Sequence, residues 1–234
     1  MEKRKAIVTG SSSGIGKAIT SILLKSGADV IGIARDHEKF EPNFACYLPI
    51  SLDLSDFEKI ESVIPQLLLE HSDIDVLICN AGHGDFQALE NFSSKQISKF
   101  INLNLISHII LCRHLVSHMK AKGNGDIIVI GSEASLAGKK KATLYSAAKF
   151  GLRGFTQALR DECSNTGVRV CLINPGFVRS PFFDSLNFKP GDAENNAIET
   201  DDIARIVYDI IKTRQGTIID EINISPASKS IIFK

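Results

Sequence analysis

One turn constrains this chain more than any other feature: Thr9-Gly10-Ser11-Ser12-Ser13-Gly14-Ile15-Gly16, which follows the apolar run Ala6–Thr9 and opens a helical pattern. Glycines at a strand-to-helix turn permit a tight reversal. They also let a pyrophosphate approach the helix N-terminus, where unpaired N–H groups and the helix dipole favour an anion. A phosphate loop of the Walker A kind does not fit, because that pattern needs glycine where Ser11 stands and a hydroxyl residue where Ala18 stands. Six more short apolar runs follow: Val30–Ala34, Ala45–Ser51, Val76–Cys79, Ile127–Ile130, Arg169–Asn174 and Ile222–Ile224. The intervals between them have room for crossover helices. Near-continuous apolar strands joined in this way predict a doubly wound α/β fold, a seven-stranded parallel sheet with helices on both faces.

Helix boundaries are signalled by the Ser93-x-x-Gln96 capping box ahead of a segment to about Lys120, by Thr200 before Asp201-Asp202, and by Gly167 after the helix that carries Tyr145. Pro65 interrupts the helical stretch Ser55–Glu70 and predicts a kink or a break. Neither repeats nor a low-complexity linker divide the 234 residues, so one domain spanning 1–234 is expected. With 44% hydrophobic residues and 27 cationic against 27 anionic side chains, the chain can form a large core and has no global pull toward nucleic acid or an anionic membrane. The partner this composition predicts is a small molecule. Five cysteines without metal-ligand spacing predict no metal site and suit a reducing cytoplasm, with Cys79 and Cys171 as core residues. Glu2-Lys3-Arg4-Lys5 runs directly into Ala6-Ile7-Val8, so no secretion signal is expected, and no uninterrupted apolar run of about 18 residues is present that could span a bilayer.

Chemistry enters with Tyr145 and Lys149 in Tyr145-Ser146-Ala147-Ala148-Lys149, thirteen residues after Ser132. At i, i+4 spacing a phenol and an ammonium share one helix face, and the cation favours the phenolate. Free tyrosine titrates near about 10, so this spacing predicts a phenol lowered toward neutral pH and usable as an acid or base.

Together these residues resemble the short-chain dehydrogenase/reductase (SDR) family, whose turn is TGxxxGxG. Asn80-Ala81-Gly82, Asn104 in Asn102-Leu103-Asn104-Leu105, Ser132, the Tyr-x-x-x-Lys pair and Pro175-Gly176 all stand in family order. The resemblance covers nearly the whole chain and implies a Rossmann-like fold. It also implies an oxidoreductase that transfers hydride between a nicotinamide and a carbonyl or secondary alcohol. In that reading Tyr145 exchanges the proton and Ser132 hydrogen-bonds the substrate oxygen. Lys149 lowers the Tyr145 pKa and binds the nicotinamide ribose, while Asn104 holds a water that links Lys149 to solvent. Cofactor contacts carried over by resemblance are Gly10, Ser12, Ser13, Gly14, Ile15 and Gly16 in the turn, Asp53 and Leu54 near the adenine, Asn80, Ala81 and Gly82, then Pro175, Gly176, Val178 and Ser180.

Ala34 stands where NAD-preferring members carry an acid, and Arg35 follows it, which favours NADP over NAD. Arg35 also reads as a solvated strand-end charge, with Asp36 beside it and no basic residue at Ser13. Residues 181–196 read as a short substrate lid whose apolar part is Pro181–Pro190. Lys139-Lys140-Lys141 reads either as a mouth for an anionic substrate or as a solvated loop, and His83 as a further candidate substrate contact. Candidate substrates are 3-oxoacyl thioesters, 3-hydroxy acids, sugars, steroids and xenobiotic ketones. The ending Asp220–Pro226 departs from the form usual in the fatty-acid-synthesis reductases. A silent NADP(H)-sensing protein and a nucleotide-sugar epimerase are the rivals, and a homodimer or homotetramer through helices around 93–120 and 145–165 is the expected assembly.

Overall fold

The computed structural model describes residues 4–38, 40 and 42–234. Six strands, β1 (Lys5–Thr9), β2 (Asp29–Ala34), β3 (Tyr47–Ser51), β4 (Val76–Cys79), β5 (Gly125–Ile130) and β6 (Val168–Pro175), join the edge strand Glu221–Ile224 in one sheet. Its spatial order is Glu221–Ile224, β6, β5, β4, β1, β2, β3, and every neighbouring pair is parallel. The sequence-based expectation of seven parallel strands is met. The order reverses between β1 and β4, so the crevice at their carboxyl ends is the topological switch point where ligands bind in open α/β sheets.

The strand residues are apolar on both faces because helices cover both. In β1, Ile7 belongs to a core built with α2 (Phe57–Glu70), α4 (Ser107–Lys122) and α5 (Thr143–Glu162), which also holds Ile60, Leu111, Leu115 and Leu152. Its neighbours Ala6 and Val8 face the opposite core, built with α1 (Gly14–Lys25) and α6 (Thr200–Lys212). This two-sided burial is what near-continuous apolar strands require.

Two local expectations are corrected. Helix α2 passes through Pro65 without a break. Ile60 and Ile64 before the proline and Leu67 after it are all buried against the sheet, so packing holds both halves in line despite the missing N–H. The segment entered through the capping box is not one α-helix. Ser93 Oγ accepts from Gln96 N at 3.3 Å and starts α3 (Ser94–Ile101), but residues Asn102–Ile106 form a π turn before α4 resumes. The whole run Ser94–Lys122 is long and apolar enough to span a membrane by length and composition, yet Leu111, Leu115 and Met119 in it are buried against the sheet.

At the amino ends of the strands, polar groups close on one another. Arg169 Nε and Nη2 donate to the two carboxylate oxygens of buried Asp126 at 2.6 and 2.9 Å. Arg4 Nη2 reaches the same carboxylate at 2.7 Å, and its Nε lies 2.5 Å from Asp75.

Candidate active site

The carboxyl ends of the strands carry the sequence motifs. Thr9 ends β1 with its hydroxyl donating to Ile78 O (3.1 Å) and accepting from Asn80 N (2.8 Å) and Ala81 N (3.0 Å). Asn80 Nδ2 returns a bond to Thr9 O at 2.9 Å. The glycine turn and the Asn80-Ala81-Gly82 turn are thereby fixed as one floor. Their glycines are required by space: Gly10 has φ +67°, and a Cβ on Gly16 would lie 2.1 Å from the Gly10 carbonyl oxygen.

This floor fits the phosphates and nicotinamide of a dinucleotide on two counts. Ser13 caps α1 without any side-chain hydrogen bond, so the first N–H groups of the helix keep their donors turned to the turn. Across the crevice, Ser180 Cβ lies 3.4 Å from the position a Gly14 Cβ would take, so any larger residue there would fill the slot. Gly10, Ser13, Gly14, Ile15, Asn80, Ala81, Gly82, Pro175, Gly176, Val178 and Ser180 share the lining of one cleft of about 720 Å³ with Asn104, Ser132, Tyr145 and Lys149. Gly16 packs against the Gly10 carbonyl and Asn80 and does not line the cleft. Ser12, Arg35, Asp53 and Leu54 are outside this lining. Arg35 is exposed at the end of β2, and its charge acts on both Asp53 and His83. Burial pushes the Asp53 carboxyl up, but bonds from Ser55 N (2.9 Å) and Ser55 Oγ (2.8 Å), with Arg35, hold it below the ordinary value.

Tyr145 and Lys149 are both buried on α5, 9% and 5% exposed. Here the charge expectation is corrected. Lys149 Nζ donates to Ile130 O at 3.0 Å and lies 5.8 Å from the centre of the Tyr145 ring. Burial dominates both groups: it pushes the Tyr145 phenol up to about 12, with the Ser132 hydroxyl opposing and Glu133 adding, and it takes Lys149 down to about 8. Tyr145 therefore keeps its proton throughout the physiological range, and a phenol so held is a proton donor.

Ser132 is held at the end of β5 by its neighbours. Its N–H donates to Asn174 Oδ1 (3.3 Å), Ser135 Oγ donates to the same oxygen (2.7 Å), and Ala134 N donates to Ser132 Oγ (3.1 Å). Asn174 Nδ2 in turn donates to Glu221 Oε1 and Asn223 Oδ1, both at 2.9 Å. Asn104 lies fully buried in the π turn, a distortion that recurs at functional sites. Its amide donates to Phe100 O (3.0 Å) and accepts from His83 N (3.2 Å), which ties the turn to the residue after Gly82.

Sequence reading missed three groups. Asn174 was seen only as the end of a strand, although it orders Ser132. His108, one helical turn after Asn104, is fully buried with Nε2 2.8 Å from Ala81 O, and burial takes its pKa down to about 3. A neutral histidine in that position donates from Nε2 and steadies the cofactor turn. The Phe86 ring lies 5.1 Å from the Tyr145 ring in a tilted contact and 5.3 Å from Phe188 edge-on, forming the apolar side of the cleft with Phe182. The signal for Phe86 was its position shortly after Gly82. Lys139, Lys140 and Lys141 are exposed and also border the cleft, and His83 borders it with its ring 5.1 Å from Phe100.

Comparison with known proteins agrees with this geometry. Residues 4–190 match the short chain dehydrogenase family. The chain is 33% identical over 194 residues to the 3-oxoacyl-(acyl-carrier-protein) reductase FabG of Buchnera aphidicola, covering 80% of this chain and 78% of that protein. It is 30% identical over 195 residues to a 3-ketodihydrosphingosine reductase of Bacteroides thetaiotaomicron, covering 83% of this chain and 71% of that one. Among solved structures, an alcohol dehydrogenase from the archaeon Thermococcus sibiricus, complexed with 5-hydroxy-NADP, superposes with a TM-score of 0.86 at 26% identity over 98% of this chain and 99% of that one. A glycine floor at the switch point, a buried Ser-Tyr-Lys cluster above it and these matches make the chain an oxidoreductase of the short-chain dehydrogenase family.

Proposed function

We propose that the protein is an NADP-dependent carbonyl reductase acting on ketones of the 3-oxoacyl kind. The observation that carries this reading is Tyr145: a phenol kept protonated beside Ser132, at the base of an aromatic cleft, suits proton delivery to a carbonyl oxygen as it becomes an alkoxide. An alkoxide is a far stronger base than a phenolate, so a phenol near 12 still gives up its proton downhill. Ser132 orients the oxygen, with Asn174 fixing the turn that presents it. Lys149 and Asn104 complete the site, Lys149 as the buried cation behind the phenol and Asn104 as the brace between its helix and the cofactor turn.

The glycine turn, Asn80–Gly82 and Pro175–Ser180 would hold the cofactor, which when bound supplies the hydride. Arg35 would pair with a 2′-phosphate, and support for this choice also comes from the NADP derivative bound to the Thermococcus sibiricus relative. The names of the FabG and 3-ketodihydrosphingosine reductase relatives support a 3-oxo substrate. The described free thiols, four of the five buried, suit a reducing cytoplasm.

The test is a fluorescence titration with NADPH and NADH, followed by a panel of ketones, 3-oxo esters and sugars. Tighter NADPH binding with turnover of 3-oxo esters supports the reading. Binding without turnover of any carbonyl compound would replace it with a cofactor-sensing role.

A further inference from the structure

The substrate side of the cleft has a wall that lies outside the family match, which ends at residue 190. Strand Ile231–Phe233 pairs antiparallel with Phe188–Pro190, with Phe233 opposite Phe188 and Ile231 opposite Pro190. The pairing is fastened at both ends. Gly191 N donates to Ser230 O at 3.0 Å, Lys234 N donates to Asn187 O at 2.9 Å, and Lys234 Nζ donates to Phe183 O at 2.6 Å. Lys229, just before the strand, forms an ion pair with Glu133, the residue after Ser132. This strap therefore joins the lid to the catalytic turn within one chain.

Its side chains are placed to meet a substrate. Lys229, Ile231 and Phe233 all line the cleft, and Ile231 and Phe233 are 46% and 75% exposed although apolar. Exposed apolar side chains on a cleft wall have area to bury when an apolar ligand enters. Phe188 lies between strap and site: its backbone stands opposite Phe233 in the ladder, its ring meets Phe86 edge-on, and the Phe86 ring lies tilted against Tyr145. Tyr145, Phe86, Phe188, Ile231 and Phe233 thus line one cleft from the reacting centre out to the strap.

We propose that the strap is a specificity-determining wall that selects carbonyl substrates bearing an apolar arm long enough to reach Ile231 and Phe233. This rests on the carbonyl-reductase reading. A short ketone would fill only the space around Tyr145 and Phe86, whereas a medium-length acyl chain would also cover the strap.

The experiment compares the wild type with the double variant Ile231→Ala/Phe233→Ala. Each is assayed with 3-oxobutanoyl and 3-oxodecanoyl thioesters of N-acetylcysteamine, with NADPH affinity and calorimetric binding of the 3-hydroxydecanoyl product measured alongside. Both side chains are partly or largely exposed, so folding and NADPH affinity should be unchanged. The expected result is at least a tenfold loss of kcat/KM on the ten-carbon ester, about 1.4 kcal/mol, carried by KM and matched by weaker product binding. The four-carbon ester should change less than twofold. Equal losses on both esters, or no loss on either, overturn the strap's role while the reductase reading stands. A wild type that binds NADPH but reduces neither ester overturns the reductase reading and the strap's role with it.

Discussion

The two ends of the central sheet are both polar and both buried, yet they do opposite things. At the amino ends, Asp126 receives three guanidinium contacts from Arg169 and Arg4, and Asp75 takes up the rest of Arg4, so charge is matched within the protein. At the carboxyl ends, Ser132, Tyr145 and Lys149 are packed without an ion pair among the described residues, and burial displaces Tyr145 and Lys149 in opposite directions, away from their charged forms. A polar cluster closed on itself stabilises the fold. One left with donors turned into a cleft is available for chemistry. The same strands supply both, because a parallel sheet sends all its carboxyl ends, and the loops that follow them, to one side.

The sharpest way to break this comparison is to exchange stability for activity at each end. Tyr145→Phe should cut turnover by roughly 10²–10⁴, the usual contribution of a general acid, with melting temperature preserved and NADPH affinity within a few-fold. Asp126→Ala should do the reverse. It leaves buried Arg169 without a carboxylate and Arg4 with Asp75 alone, and should cost about 3–5 kcal/mol in a denaturant titration, while the fraction that stays folded reduces substrate normally. Loss of chemistry from Asp126→Ala without loss of stability would erase the distinction between the two ends.

Smaller effects sharpen it. Asn174→Ala strands the Ser132 amide and leaves the Ser135 hydroxyl with Ser132 O as its acceptor, and the expected cost is about 1–3 kcal/mol of stability together with a lower kcat. Next is pH. Burial lowers Lys149 to about 8, so its charge is present below that pH and is lost above it. Reduction should therefore weaken as pH rises through about 8, long before Tyr145 titrates. Lys149→Arg keeps its charge at all working pH values, and its residual kcat/KM profile should extend further into alkali. An unmoved alkaline limb would assign that limb to another group. The smallest expected effect is Arg35→Ala, which should weaken NADPH about tenfold, or 1.4 kcal/mol, and leave NADH nearly unchanged.

How far the sequence could be read follows the same division. Strand runs, the glycine turn, Ser132, Tyr145 and Lys149 were legible because their residue types and spacings are dictated locally, by one turn or one helix face. The direction of Lys149 was not. Spacing i, i+4 puts it on the face of Tyr145, but only the packed sheet reveals Ile130 O as its acceptor and burial as the dominant influence on both groups. Asn174 and His108 act through strands and turns distant in sequence, and neither residue type signals a role by itself. Pro65 was read by a local rule that packing of Ile60, Ile64 and Leu67 overrode. The strap was hidden for the strongest reason: its meaning depends on pairing Phe233 with Phe188, which no short pattern encodes.

The central claim is that the carboxyl-end cluster carries a hydride-and-proton transfer to a carbonyl. The most direct measurement uses NADPH deuterated at the transferring carbon of the nicotinamide, with 3-oxodecanoyl thioester as substrate and mass spectrometry of the product. The expected result is one deuterium on the carbinol carbon with the wild type, and the same labelled product formed roughly 10²–10⁴ times more slowly with Tyr145→Phe. Tight NADPH binding with no deuterium in any product, or labelling at equal rates by both proteins, would contradict it.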